Sequence, residues 1–180
     1  MSFSTVDLTT IRAGQMTDLA GVNLAGADLS GAILSGVNLR SILRGADLTG
    51  ADLQGADLRN ADLRGAILLD ARVSGASFAG AFLAGAVFSR LDLADADFRG
   101  ADARGTDFTG ATLTRADFTS ANLSGADLSD TDLEEAILFG TVLRGANLGR
   151  SNLLCANVEG CITEGAVWDG ACLEGTALAP

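Results

Sequence analysis

Residues 39–66 read "LRSILRGADLTGADLQGADLRNADLRGA", and from Leu43 their leucines keep a period of five: Leu43, Leu48, Leu53, Leu58 and Leu63. Leu39 lies only four residues before Leu43, so one residue is lost within 40–42. A period of five fits no regular element. On an α-helix each step of five turns the side chain by about 500°, which spreads the leucines round the axis. On a flat strand an odd step sends successive leucines to opposite faces. The chain must therefore turn within every repeat. If each turn has the same sense, the leucines point to a common axis, and the chain closes into coils that stack at about 4.8 Å. Such a stack is a solenoid, held by contacts between neighbours.

The phase is long. From Leu43 to Leu178 the fives give 28 positions, of which 23 are Leu or Phe; the others are Val73, Ala103, Val158, Thr163 and Trp168. Two residues before each position stands Ala in 20 cases, with Leu91 the one large exception. One residue before stands Asp or Asn in 15 cases, and two residues after stands Gly in 17. The unit is A-(D/N)-L-x-G. Small residues suit a tight bend, and glycine suits its corner. Upstream the fives run Leu19, Leu24, Leu29, Leu34, Leu39; Leu8 lies eleven residues before Leu19, so one residue is gained within 9–18. The two slips cancel, and counting from Phe3 predicts about nine coils of twenty residues in a single domain over 1–180. Each slip reads either as a one-residue corner adjustment of the bulge kind or as a bend that presents Arg40 and Arg44 to a partner.

Repeats such as "ADLTG", "ADLQG", "ANLSG" and "ADLSD" resemble those of the pentapeptide-repeat protein family, over nearly the whole chain. The resemblance implies an all-β fold: a right-handed, four-sided parallel β-helix with four repeats to a coil. Core volumes agree with four. Leu58, Phe78, Phe98, Phe118 and Leu138 then form one inner column, opposite one carrying Leu48, Leu68, Phe88, Phe108, Leu128, Leu148 and Trp168. In the layer of Ala103, Phe108, Leu113 and Phe118, the smallest core residue lies beside two opposed rings, as constant packing density requires.

Composition narrows the function. With no histidine the commonest catalytic base is missing, and no Ser/His/Asp set is possible. Stacked pairs such as Asp97/Asp117 and Asp107/Asp127 offer two carboxylates where Ca²⁺ takes six to eight oxygens. The glycine-rich "GADLTGADLQGADL" belongs to the coil and is not a phosphate loop. Cys155, Cys161 and Cys172 lack zinc-ligand spacing and read as reduced thiols. A net charge of −11, with all twelve cations Arg, repels nucleic acid. No long apolar run predicts a membrane span, and no signal core precedes the repeats. The expectation is a cytoplasmic, non-enzymatic protein with no cofactor and no metal, acting on another protein.

The outer faces then hold the candidates. Ile67 and Val87 stack on one face, with Phe82 adjoining; Val142 and Ile162 stack likewise, with Ile137 and Phe139 next door. These apolar departures from the Asp/Asn slot are candidate protein-interaction patches. Charge is uneven: residues 1–90 carry seven Arg and eight acids, residues 91–180 five Arg and fifteen acids. Asp97, Asp107, Asp117 and Asp127, with a ring of Glu159, Glu164, Asp169 and Glu174, form the candidate acidic surface; the plainer reading of the ring is a charged, blunted sheet edge.

Two function classes follow from the resemblance. One is a structural or interaction scaffold, since many members have no known activity. The other is a DNA-mimicking binder of DNA gyrase or topoisomerase, as in members conferring fluoroquinolone resistance. Those members typically pair through a C-terminal helix, whereas here repeats run to "LEGTALAP". The uncovered Trp168, Leu173 and Leu178 predict, at most, a weak tail-to-tail homodimer opposed by the acid ring. The scaffold is the first expectation.

Overall fold

One five-residue unit shows why the chain coils. The computed structural model describes residues 7–179, and in it Ala46–Gly50 satisfies all five of its backbone N–H groups. Ala46 N–H closes the corner on Leu43 O at 2.9 Å, and Asp47 N–H reaches Ala27 O in the preceding coil at 3.0 Å. Leu48 and Gly50 donate to Ile67 O and Leu69 O of the following coil, each at 2.8 Å. Thr49 N–H, which points along neither coil, donates to Asp47 Oδ1 at 2.9 Å. The Asp/Asn slot is thus structural, since its side chain accepts the one amide that stacking cannot pair. At the corner Gly50 has φ +66°, the sign required at the third residue of a type II turn.

Repetition gives four ladders of parallel bridges. Face A runs Asn23, Ile42, Asp62, Phe82, Asp102, Asn122, Val142, Ile162. Face B runs Asp28, Asp47, Ile67, Val87, Asp107, Asp127, Asn147, Val167. Face C runs from Ile33 to Cys172, and face D from Asp18 to Asn157. Bridges beyond the slip join residues twenty apart, so four repeats make a coil, as the resemblance implied; those straddling it, such as Asp47 with Asp28, join residues nineteen apart. The ladders are therefore continuous across the lost residue.

Leu and Phe fill the interior. Phe78, Phe98 and Phe118 stack in one column, with centroids 5.0 and 4.8 Å apart, and Phe88 and Phe108 face them from the opposite side. Phe108 meets Phe118 edge-on at 5.9 Å, beside the fully buried Ala103. Where Thr replaces the inner Ala, its hydroxyl finds a carbonyl: Thr106 Oγ1 donates to Leu83 O at 2.9 Å and Thr141 Oγ1 to Phe118 O at 2.8 Å.

Two places depart from expectation. The residue gained within 9–18 is no bulge. Leu8 is the first residue of a short helix, α1 (Leu8–Arg12), capped by Asp7, whose carboxylate accepts Thr9 N–H at 2.9 Å. Ile11 is 0 % exposed and plugs the end of the core, and Arg12 O takes the Ile33 N–H at 3.0 Å as a preceding coil would. Burial of that side chain holds so short a helix in place. The coils therefore begin at Leu19; Phe3, used in the nine-coil count, lies outside the described residues.

The second departure is at Leu91, 4 % exposed where an Ala usually stands. Around it face C opens. No bridge joins Arg72 to Asp92, and the amides of Asp70, Val73, Gly75, Asp92 and Asp97 lack the cross-coil partners that their equivalents have elsewhere. A side chain too large for the corner separates the coils locally. Pairing resumes at once above it, where Leu93 N–H donates to Thr112 O at 2.8 Å.

Candidate functional site

With the interior closed and most amides paired, the outer faces carry the remaining chemistry. Ile67 and Val87 are bridged neighbours on face B, and Phe82 stands on face A, 47 % exposed. Val142 and Ile162 are bridged on face A, Ile137 is on face D, and Phe139 projects at the corner between them, 46 % exposed. Val87 and Val142 are half-buried. Each apolar substitution in the Asp/Asn slot also removes the acceptor of the amide two residues on. The N–H groups of Leu69, Ala84 and Ser89 in the first patch, and of Phe139, Arg144 and Glu164 in the second, donate no hydrogen bond within the described residues. These patches therefore combine apolar side chains with free backbone donors. Leu69 and Ile42 are exposed as well and extend the first patch. Ile42 was legible as a departure from Asp/Asn, and Leu69 as a large apolar residue in the variable slot that Phe139 also occupies.

The candidate acids are less free than a count of charges suggests. Asp97 is held by Arg99 at 2.8 Å and accepts from Ser77 Oγ at 3.3 Å. Arg99 also lies 3.8 Å from Asp117. Asp107 and Asp117 accept their own turn amides, from Thr109 and Thr119, at 2.9 and 2.8 Å. Asp127 accepts Ser129 N–H and Oγ–H and also Asn147 Nδ2–H. The Arg99 guanidinium holds the Asp97 carboxyl below the usual carboxylate range, and Arg104 does the same for Asp102. Of the ring, Glu159, Glu164, Asp169 and Glu174 are all exposed, but Glu164 is engaged by Arg144 Nε at 2.6 Å. Arginine thus offsets five of the fifteen acidic charges in residues 91–180.

At the C-terminal end Trp168 and Leu173 are half-buried against the core, and Leu178 is exposed. The three cysteines are free, and burial pushes the Cys161 thiol up. Among the described residues no helix is long and apolar enough to cross a membrane.

A profile of pentapeptide repeats matches the chain in eight copies, over residues 16–40, 41–78, 66–102, 74–110, 92–130 and 126–162. The chain belongs to the pentapeptide-repeat family. Solved structures similar to it are members of the same class. HetL, a pentapeptide repeat protein involved in heterocyst differentiation regulation from Nostoc sp. PCC 7120, is 30 % identical, with 97 % of each chain covered and a TM-score of 0.39. A trypsin-treated variant of QnrB1, a plasmid-mediated fluoroquinolone resistance protein, is 23 % identical over 76 % of each chain, with a TM-score of 0.43. Rfr23 from Cyanothece 51142 is 19 % identical over 94 % of this chain and 95 % of its own, with a TM-score of 0.34. Among curated proteins none matches the chain.

Proposed function

We propose that the chain is a cytoplasmic, non-enzymatic scaffold, a right-handed four-sided rod that binds another protein through its sides. The observation that carries this reading is the pair of apolar patches centred on Phe82 and Phe139, each set beside backbone donors with no internal partner. Exposed aromatic side chains gain from being covered by a partner's apolar groups, and amides with no acceptor in the chain are open to a partner's carbonyls. Chemical crosslinking in the native host, compared between wild type and the double variant Phe82→Glu/Phe139→Glu, tests it. A partner captured by wild type and lost by the variant supports the reading; identical crosslinking patterns sink it.

The second reading is a gyrase-directed DNA mimic, favoured by the excess of ten acids over arginines in residues 91–180. That excess remains after the five arginines, which tie up Asp95, Asp97, Asp102, Asp130 and Glu164, have been counted. A DNA supercoiling assay with gyrase, with and without a quinolone, separates the two: the scaffold leaves supercoiling unchanged, whereas the mimic inhibits or protects the enzyme.

A further inference from the structure

The register slip leaves a notch in the rod. On this corner column, Gly21 in the preceding coil and Asn60 in the following coil both have positive φ, +70° and +58°. Between them the corner residue is missing, and the chain passes from Leu39 through Arg40 directly to Ser41. The shortened corner is closed by Ser41 N–H on Leu39 O at 2.7 Å, a bond of the γ-turn type. One rung disappears with the residue. The carbonyl of Arg59 receives no N–H from the coil before, whereas the equivalent carbonyl of Arg64 takes one from Gly45 at 2.9 Å. The vacated space is a cavity of about 260 Å³ whose lining includes Gly21, Arg40, Ser41, Asn60 and the Asp62–Arg64 pair, with Ile42 and Phe82 on either side of Asp62.

The charge of the notch is one-sided. Asp62 is occupied by Arg64, with Nε–Oδ1 at 2.8 Å and Nη2–Oδ2 at 2.5 Å. Asp57, which feels the charge of Arg40, is occupied by Arg59 at 2.8 and 2.7 Å. Among the described residues nine of the twelve arginines form ion pairs; Arg40, Arg44 and Arg90 form none, and the first two flank the lost residue. Ile42 and Phe82 add exposed apolar surface to the same wall, and the amides of Arg44 and Ala84 just after them donate no hydrogen bond within the described residues. The cavity falls below the ~300–1,000 Å³ of small-molecule pockets and opens on an outer corner. It therefore suits one or two side chains of an extended segment.

We propose that this notch docks an acidic peptide segment of a protein partner. A carboxylate of the segment pairs with Arg40, its neighbouring aliphatic side chain covers Ile42 and Phe82, and its backbone N–H meets the unpaired Arg59 carbonyl. The proposal rests on the scaffold reading and gives that scaffold a site and a partner chemistry.

The test is titration of the ¹⁵N-labelled full chain with the blocked peptide acetyl-Gly-Glu-Leu-Glu-Leu-Gly-amide, its Gln-for-Glu counterpart, and acetate. The Glu peptide is expected to shift the amides of Ser41, Ile42, Arg44, Asn60 and Ala84. The Gln peptide should bind about tenfold more weakly, the ratio that one charge-assisted bond supplies. Arg40→Gln should weaken the Glu peptide equally without touching a backbone bond. Insertion of a glycine between Arg40 and Ser41 refills the corner; binding should be lost with the urea midpoint undiminished. Equal binding of the two peptides, acetate shifting the same amides as strongly as the peptide, undiminished binding to the insertion variant, or no shift at the notch would each overturn the proposal. If the notch fails while crosslinking through Phe139 persists in Phe82→Glu alone, the scaffold reading survives it; if crosslinking also fails, both fall.

Discussion

Arg115 stands one coil beyond Asp95 and grips it with two bonds, Nε–Oδ1 at 2.7 Å and Nη2–Oδ2 at 2.8 Å, although both residues occupy corner positions with left-handed backbone, φ +57° and +59°. Most corners of this kind are glycine because other residues pay a steric penalty there. Here the penalty is partly offset by side chains that stack in register with opposite charge, and Asp130 with Arg150 repeats the device. Asp95→Gly is therefore expected to leave the urea midpoint unchanged or raised, since it relieves the backbone while losing an exposed pair of small worth. Asp95→Val should lower it, because a β-branched residue fits this conformation poorly. Urea unfolding of the two variants checks both signs.

Ala103 is the smallest member of a layer that already holds Phe108 and Phe118. Ala103→Leu should destabilise by about 1–3 kcal/mol through overpacking. Combining it with Phe108→Leu should recover part of the loss. A neutral single variant in urea unfolding would contradict the layer assignment.

Acid should unfold the rod through its paired carboxylates. Arg59, Arg64, Arg99 and Arg104 hold Asp57, Asp62, Asp97 and Asp102 below the ordinary value of about 3.9. A carboxyl depressed in the folded state contributes its full stability above the unfolded value and loses it as pH falls through the lowered one. With no histidine in the chain, the urea midpoint should be nearly flat between about pH 5 and 8 and fall below about pH 4. Asp62→Asn keeps an acceptor for the Arg64 amide but cannot titrate, so its acid limb should be shallower.

The opening at Leu91 predicts a pattern of hydrogen exchange. The amides of Val73, Gly75 and Asp92 should exchange faster than their face C counterparts one coil earlier, Leu53, Gly55 and Arg72, which donate to Arg72, Ser74 and Ala51 at 2.7, 2.9 and 2.9 Å. Equal protection at both levels would mean that the ladder is closed in solution.

Self-association can be read through the single tryptophan. Trp168 and Leu173 are only partly buried, and the acid ring around them opposes pairing over a Debye length of about 8–10 Å. Sedimentation of the 180-residue chain should show a dimer fraction that rises with salt, and Trp168→Glu should abolish it. A strictly monomeric wild type at high salt and concentration would remove tail-to-tail pairing.

The regular part of this architecture was legible because each repeat repeats its reason. The Phe columns, the buried Ala103 and the exposure of Phe82 and Phe139 all follow from a side chain's place in a five-residue unit. The exceptions depend on what lies a coil away. Helix α1 was hidden because Leu8 lies only one residue out of phase, although Asp7 before "LTTIR" is an ordinary helix cap. The split at Leu91 depends on how far one side chain pushes its neighbours apart, and the pairing of Asp97 or Glu164 depends on which arginine reaches across. The slip at 40–42 was visible as a lost residue, but its cavity exists only where four successive coils meet.

That lost residue behaves as a vacancy in a one-dimensional crystal. The lattice on either side keeps its spacing, and the defect heals within a single rung because the missing unit was a corner, whose amide made only one bond between coils. The same deletion in the middle of a face would invert the inside and outside of every residue up to the next corner. Single-residue deletions in this chain should therefore survive at corners and nowhere else, and each survivor would open a new dent at the level where it falls. A rod of nearly identical coils would in this way acquire addressable positions along its length without altering its cross-section.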